Sequence, residues 1–216
     1  MSEYQYYEFQ AIDRPLTKNE IGELRKLSSR ASISAGRFKN VYNFGDFRGN
    51  PSVLMEQYFD AFLHLSNFGT RQLMFRLPSG LVDLAIAKQF CSDTCASVRE
   101  KDGFVIFEFC AEDEDSSGWI EDDEAEEWLS SLVHLRSDIA KGDIRALYLA
   151  WLLCAQSGNL DGSTNEPPVP ANLGNLTTPL EAFVEFFQIN KDLIAAAAQA
   201  SAEPRTVGEL LVAAKI

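Results

Sequence analysis

The chain has 216 residues, 46% of them hydrophobic and 24% charged, a balance that excludes disordered, collagen-like and disulfide-stapled classes. Its formal charge of −13 is local: residues 112–127 hold ten of the 32 acids and no Lys or Arg, which leaves −3 for everything else. A body so near neutrality lacks the electrostatic footprint that phosphate backbones require, so no direct nucleic-acid binding by this segment is expected.

The aromatic run from Tyr4 to Ile12 has the side-chain content of a strand. A helix follows: Thr17 and Glu20 form a T-x-x-E capping box, Leu16 and Ile21 take the staple positions, and Ile21, Leu24 and Leu27 share one face. The next strand spans Arg37 to Phe44. Asn50-Pro51 then supplies an N-cap and a first-turn proline for a short helix toward Phe59. Ala61 to Ser66 and Arg71 to Leu77 flank Asn67-Phe68-Gly69, a hairpin with glycine where a positive φ is needed. A helix is expected near Val82 to Phe90, and Asp102-Gly103 joins the strands Ala96 to Lys101 and Phe104 to Cys110. The first half therefore reads as an antiparallel sheet with helices. The order fits either two related units or helices laid on one sheet face.

After Ala111 the pattern changes. Residues 112–127 form an acidic connector, and from Trp128 onward the strong patterns are helical. One helix is expected to end near Lys141 and the next to run from Ile144 until Gly158 closes it. A proline-bearing loop covers Gly158 to Thr177, and Thr178-Pro179-Leu180-Glu181 opens another helix. Thr206 and Glu209 cap a last one, whose stripe of Val207, Leu210, Leu211 and Ala214 is expected to dock on the helical half or on a neighbouring chain; no glycine or asparagine marks its stop. The chain thus reads as α+β, with an antiparallel-sheet domain over 1–111, the connector, and an all-α helical domain over 128–216.

No basic, apolar leader follows Met1, and the apolar run Ala146 to Ala155 is far shorter than the roughly 20 residues of a membrane-spanning helix. A cytoplasmic protein with reduced cysteines at 91, 95, 110 and 154 is expected. Asp113 to Glu124 fits the spacing of an EF-hand calcium loop, with Asp113, Asp115, Ser117 and Glu124 as oxygen donors and Gly118 at the sharp turn. A strand enters it, however, where an EF-hand has a helix, so calcium is not expected to stabilise the fold. Cys91 and Cys95 lack a second thiol pair nearby, and His64 and His134 are the sole histidines, too few for a convincing zinc set. No metal site and no cofactor is expected. Neither a phosphate-cradling glycine motif nor a G-x-S-x-G nucleophile occurs.

One constellation remains. Asn43 to Pro51 and Asn67 to Arg71 are two aromatic-glycine turns, each carrying an arginine, and they could face one another. Asp46, Phe47, Arg48, Phe68 and Arg71 are the candidate binding residues, for a protein partner's hot spot or for an anionic ligand.

Tyr4 to Phe9, Ala11 to Thr17, Gly45-Asp46-Phe47, Tyr58 to Ala61 and Gly69-Thr70-Arg71 resemble a family of uncharacterised bacterial proteins. The resemblance covers most of the chain and implies no catalytic residue. It implies that this is the N-terminal portion of longer proteins that continue past Leu211 into an Arg-rich helical tail, with SWIM zinc-finger proteins as genomic neighbours. The leading expectation is a non-catalytic interaction or scaffolding module for an unknown protein partner, without membrane attachment. The alternatives are an enzyme or binding protein for a small anionic ligand, and an accessory domain of a nucleic-acid-linked protein.

Overall fold

A computed structural model describes residues 3–113, 122–199 and 206–215, with backbone alone at 122–124. The seven strands are β1 (Gln5–Gln10), β2 (Ser32–Ile33), β3 (Arg37–Tyr42), β4 (Ala61–Ser66), β5 (Thr70–Pro78), β6 (Ala96–Lys101) and β7 (Phe104–Glu112). They form one antiparallel sheet in the order β2-β3-β1-β4-β5-β7-β6. The helices are α1 (Lys18–Leu27), α2 (Pro51–Gln57), α3 (Leu84–Ala87), α4 (Asp122–Leu132), α5 (His134–Ala140), α6 (Arg145–Gln156), α7 (Thr178–Phe186), α8 (Lys191–Ala198) and α9 (Val207–Ala214). The protein is therefore an α+β protein built on an antiparallel sheet. No helix among the described residues is long and apolar enough to cross a membrane.

β1 lies between β3 and β4, so the segment from β3 through α2 to β4 must cross over it. A strand at that position is covered on both faces, which explains an aromatic run without polar alternation. Tyr7 and Phe9 face one side, where Phe38, Phe47, Phe59, Phe62 and Met74 close a core with Leu24 of α1 and Leu54 of α2. Tyr6 faces the other side, where Leu63, Leu65, Leu73, Phe75, Phe107 and Phe109 share a continuous core with α4 to α9. Helices thus cover both faces, because alternate residues of the central strands are apolar on each side.

Local chemistry sets the element starts. Both capping boxes form, at Thr17 with Glu20 and at Thr206 with Glu209, and the Asn50 side chain accepts from the Val53 amide ahead of Pro51. Each such cap contributes roughly 0.5–2 kcal/mol. Asp102 and Gly103 both take positive φ, 51° and 81°, the geometry that suits the twist of a two-residue hairpin.

Several elements depart from expectation. β3 stops at Tyr42. The short β2 pairs with it and has no sequence signal of its own. The expected helix over 82–90 shrinks to α3 between 3-10 turns, and the helix leading to Lys141 breaks at Val133 into α4 and α5. α8 begins at Lys191 behind the Asn190 cap. α9 docks through Val207, Leu210 and Ala214 as its stripe implies, and Lys215 after it is left-handed, at φ 60°, with its amide donating to the Leu211 and Val212 carbonyls.

At the end of the sheet opposite the aromatic turns, Asp60 is fully buried. Its Oδ2 accepts from the amides of Ile12 (2.7 Å) and Asp13 (2.9 Å), and its Oδ1 accepts from Arg76 Nη2 (2.7 Å). Arg76 also donates to the Glu56 carbonyl, and its guanidinium lies over the Phe104 ring. Arg136 of α5 closes the set by donating to the Arg76 carbonyl and to Asp13. A further buried carboxylate, Glu8 of β1, accepts from Tyr6 and Arg37 on the helical side. Beside it Glu126 of α4 pairs with Lys39, so the last part of the acidic stretch is docked on the sheet.

Candidate functional site

β1 begins where β3 and β4 end and where β5 begins, because β1 runs antiparallel to both neighbours. The two aromatic-arginine turns, after β3 and after β4, therefore emerge at the same end of the sheet with only β1 between them. Two strand spacings are roughly 10 Å. Backbone and side-chain bonds tie both turns to the first residues of β1. Gln5 donates its amide to the Gly45 carbonyl (3.0 Å), while the Tyr4 amide donates to Asn67 Oδ1 (2.8 Å). The β7 end adjoins them, since the Asp113 amide donates to the Gly69 carbonyl. The acidic connector leaves the sheet at this same end.

The five candidate residues divide into a buried and an accessible set. Phe47 is core, 8% exposed, with its ring centroid 5.3 Å from that of Tyr7 and 5.8 Å from those of Phe9 and Phe38. A Cβ on Gly49 would lie 2.6 Å from that ring, so glycine is what lets the loop close over it. Asp46 accepts from the Tyr7 hydroxyl (2.7 Å) and from the Phe47 amide (2.6 Å). Arg48 is exposed and makes no ion pair among the described residues, whereas Arg71 is half-buried. Phe68 is 43% exposed. The residue that sequence reasoning passed over is Phe44, 78% exposed at the tip of the first turn beside Gly45 with its φ of 82°. An aromatic next to a turn glycine was its signal, but Phe47 carried the same signal three residues later.

Beneath the turns lies a buried polar group. Tyr7 and His64 stack with centroids 4.2 Å apart, and His64 Nε2 sits 3.2 Å from Gln5 Oε1. Gln5 directs its amide nitrogen at Gly45, which leaves Oε1 as an acceptor and assigns the histidine proton to Nε2. Burial pushes His64 down to about 4, so the ring is neutral at pH 7 and braces the first turn. Burial first, and then the bond to Asp46, raise the Tyr7 hydroxyl well above its ordinary value, which keeps it a donor.

This burial has a pH consequence. Unfolded His64 takes up its proton near pH 6.5 and the folded form near 4, so its contribution is complete above 6.5 and is lost as pH falls toward 4. Between pH 7 and 4.5 the native protein is expected to lose on the order of 2–3 kcal/mol more than His64→Gln does. Urea denaturation of both proteins at the two pH values measures this, and equal losses would rule out a neutral buried ring.

All four cysteines are free thiols. Cys95 is buried and accepts from Asn159 Nδ2 (3.2 Å), and the thiol of Cys154 beside it draws the Cys95 thiol down. Cys91 and Cys110 are instead pushed up by burial. Among the described residues no group of three or more His, Cys, Asp or Glu is arranged for a metal ion. The calcium-like loop lies outside the described residues apart from Asp113 and the backbone at 122–124. Set against known proteins, the chain matches no family model, no curated protein and no solved structure.

Proposed function

We propose that the chain is a non-catalytic interaction module that captures a protein partner at the turn-bearing end of its sheet. The observation that carries this reading is the pair of exposed phenylalanines, Phe44 and Phe68, on two anchored turns separated by a single strand. Large aromatics presented on a rigid frame lose little conformational freedom on binding, which is why such side chains act as anchors. The bonds of Gln5, Tyr7 and Tyr4 to the turns supply that rigidity. Asp46, Glu112 and Asp113 at the same end work against an anionic ligand, so the geometry favours a protein surface with apolar pockets.

The double variant Phe44→Ala/Phe68→Ala is expected to fold with stability within about 0.5 kcal/mol of the native protein, since neither ring belongs to either core. Its retention of the native partner in quantitative affinity capture from the source cells is expected to fall more than about tenfold, as for hot-spot aromatics. Unchanged capture by a stably folded double variant would place the binding surface elsewhere.

A further inference from the structure

Two cysteines meet where the start of β6 packs against the last turn of α6. The Cys110 amide donates to the Cys95 carbonyl (2.9 Å), and the amides of Ser92 and Asp93 donate to the Ala96 carbonyl, which fixes the segment that carries Cys95. From α6 comes Cys154, whose carbonyl accepts from the Asn159 amide (3.1 Å). The side chains converge: Asn159 Nδ2 donates to Cys95 Sγ (3.2 Å), Ser92 Oγ lies 2.9 Å from Cys154 Sγ, and Thr94 and Ser157 complete a polar ring around the two sulfurs. Both cysteines are buried, at 4% and 0% exposure, yet Thr94, Ser157 and Asn159 beside Cys95 are exposed, so its sulfur lies one side chain below the surface. The Cys154 thiol first, and then Asn159, Thr94 and Ser157, donate to the Cys95 sulfur and draw its thiol down against the effect of burial, while Cys154 is pushed up by the same bond and by burial. The pair thus joins a sulfur that ionises readily to one that keeps its proton.

We propose that this pair is an oxidation site: a hydroperoxide converts Cys95 to a sulfenic acid, and Cys154 then closes a disulfide between the start of β6 and α6. Cys95 is the attacking group because its sulfur accepts the hydrogen bonds of the ring and lies nearer the surface. Its thiolate bonds to one peroxide oxygen, the O–O bond breaks, and the departing oxygen takes up a proton to leave as water or an alcohol. The Cys154 sulfur then bonds to the Cys95 sulfur, the S–O bond breaks, and the leaving hydroxide carries off the Cys154 proton as water. The two sulfurs together lose two electrons, and the peroxide gains them. Hydroxyl and amide groups around two thiols suit this chemistry better than zinc, which takes three or four Cys, His or carboxylate ligands; no such group occurs among the described residues. The pair uses none of the residues that present Phe44 and Phe68, so it stands or falls separately from partner capture.

The test treats the reduced native protein with a small excess of hydrogen peroxide, blocks the remaining thiols with an alkylating reagent and maps the peptides by mass. A disulfide joining Cys95 to Cys154 is expected to form about tenfold faster than Cys91 or Cys110 oxidises, although those two thiols are the more exposed. Exposure alone would give the opposite order. In Cys154→Ala the sulfenic acid has no resolving thiol, so dimedone is expected to label Cys95 there and not in the native protein. Asn159→Ala, at an exposed position, is expected to slow Cys95 oxidation about two- to fivefold with an unchanged circular dichroism spectrum. The proposal is overturned if Cys91 or Cys110 oxidises first, if Cys95 and Cys154 stay reduced in the folded protein, or if Cys95 pairs instead with Cys110 across the strands. Should Cys154→Ala fail to fold, the peptide map of the native protein decides alone, since it needs no variant.

Discussion

Asp60→Ala is expected to destabilise the protein by about 3–5 kcal/mol, the range for removing one partner of a buried, hydrogen-bonded ion pair. Asp60 is 0% exposed and Arg76 6%, so the substitution leaves a guanidinium without its counter-charge where water does not reach. It also orphans the amides of Ile12 and Asp13, which fix the turn between β1 and α1. Arg136 reaches the same cluster from α5, so the loss spreads to the seam between sheet and helical half. Urea denaturation at pH 7 measures the effect. Asp60→Ala/Arg76→Leu is expected to cost less than the sum of the two single variants, because the second change removes the unpaired charge that the first creates. A single-variant loss below about 1 kcal/mol, or strict additivity, would mean that the pair is not desolvated as described.

Phe47→Ala is the second large effect, with an expected loss of about 3–5 kcal/mol from transfer and cavity terms together. Its ring meets Tyr7, Phe9 and Phe38, three side chains of the core beneath α1 and α2, so neighbouring rings cannot readily collapse into the space. The contrast with Phe44→Ala is the informative measurement. Phe44 stands three residues away in the same turn, yet it is 78% exposed and its truncation is expected to change stability by less than about 0.5 kcal/mol. Thermal or urea denaturation of the two single variants decides it. Comparable losses would show that the turn is held differently, with both rings packed or neither.

Phe47→Ala also tests the site indirectly. The bonds from Tyr7 to Asp46 and from Gln5 to Gly45 hold the turn that presents Phe44, and the Phe47 ring holds it from below. Amide exchange across 43–50 is expected to accelerate in Phe47→Ala and to remain at its native rate in Phe44→Ala.

The sequence by itself determined the features set within a few residues. The capping boxes at Thr17 and Thr206, the Asn50-Pro51 helix start, and the hairpins around Gly69 and Asp102-Gly103 are all present, because cap and turn energies depend on neighbours in the chain. Among the described residues the helices α4 to α9 follow β7, in keeping with the change of pattern near residue 111. Placement was not. The insertion of β1 between β3 and β4, the covering of the sheet on both faces and the two-residue β2 depend on pairings between residues far apart in sequence, which local periodicity does not encode. Asp60 directly precedes a strand, and none of its neighbours in the sequence identifies its partners; tertiary structure brings it to Arg76 and to the amides after β1. Phe44 and Phe47 have nearly the same local context, an aromatic within a glycine-bearing turn. Only the packing of the chain over Tyr7, Phe9 and Phe38 decides which ring becomes core and which is left for a partner, because burial is a property of the surroundings rather than of the residue.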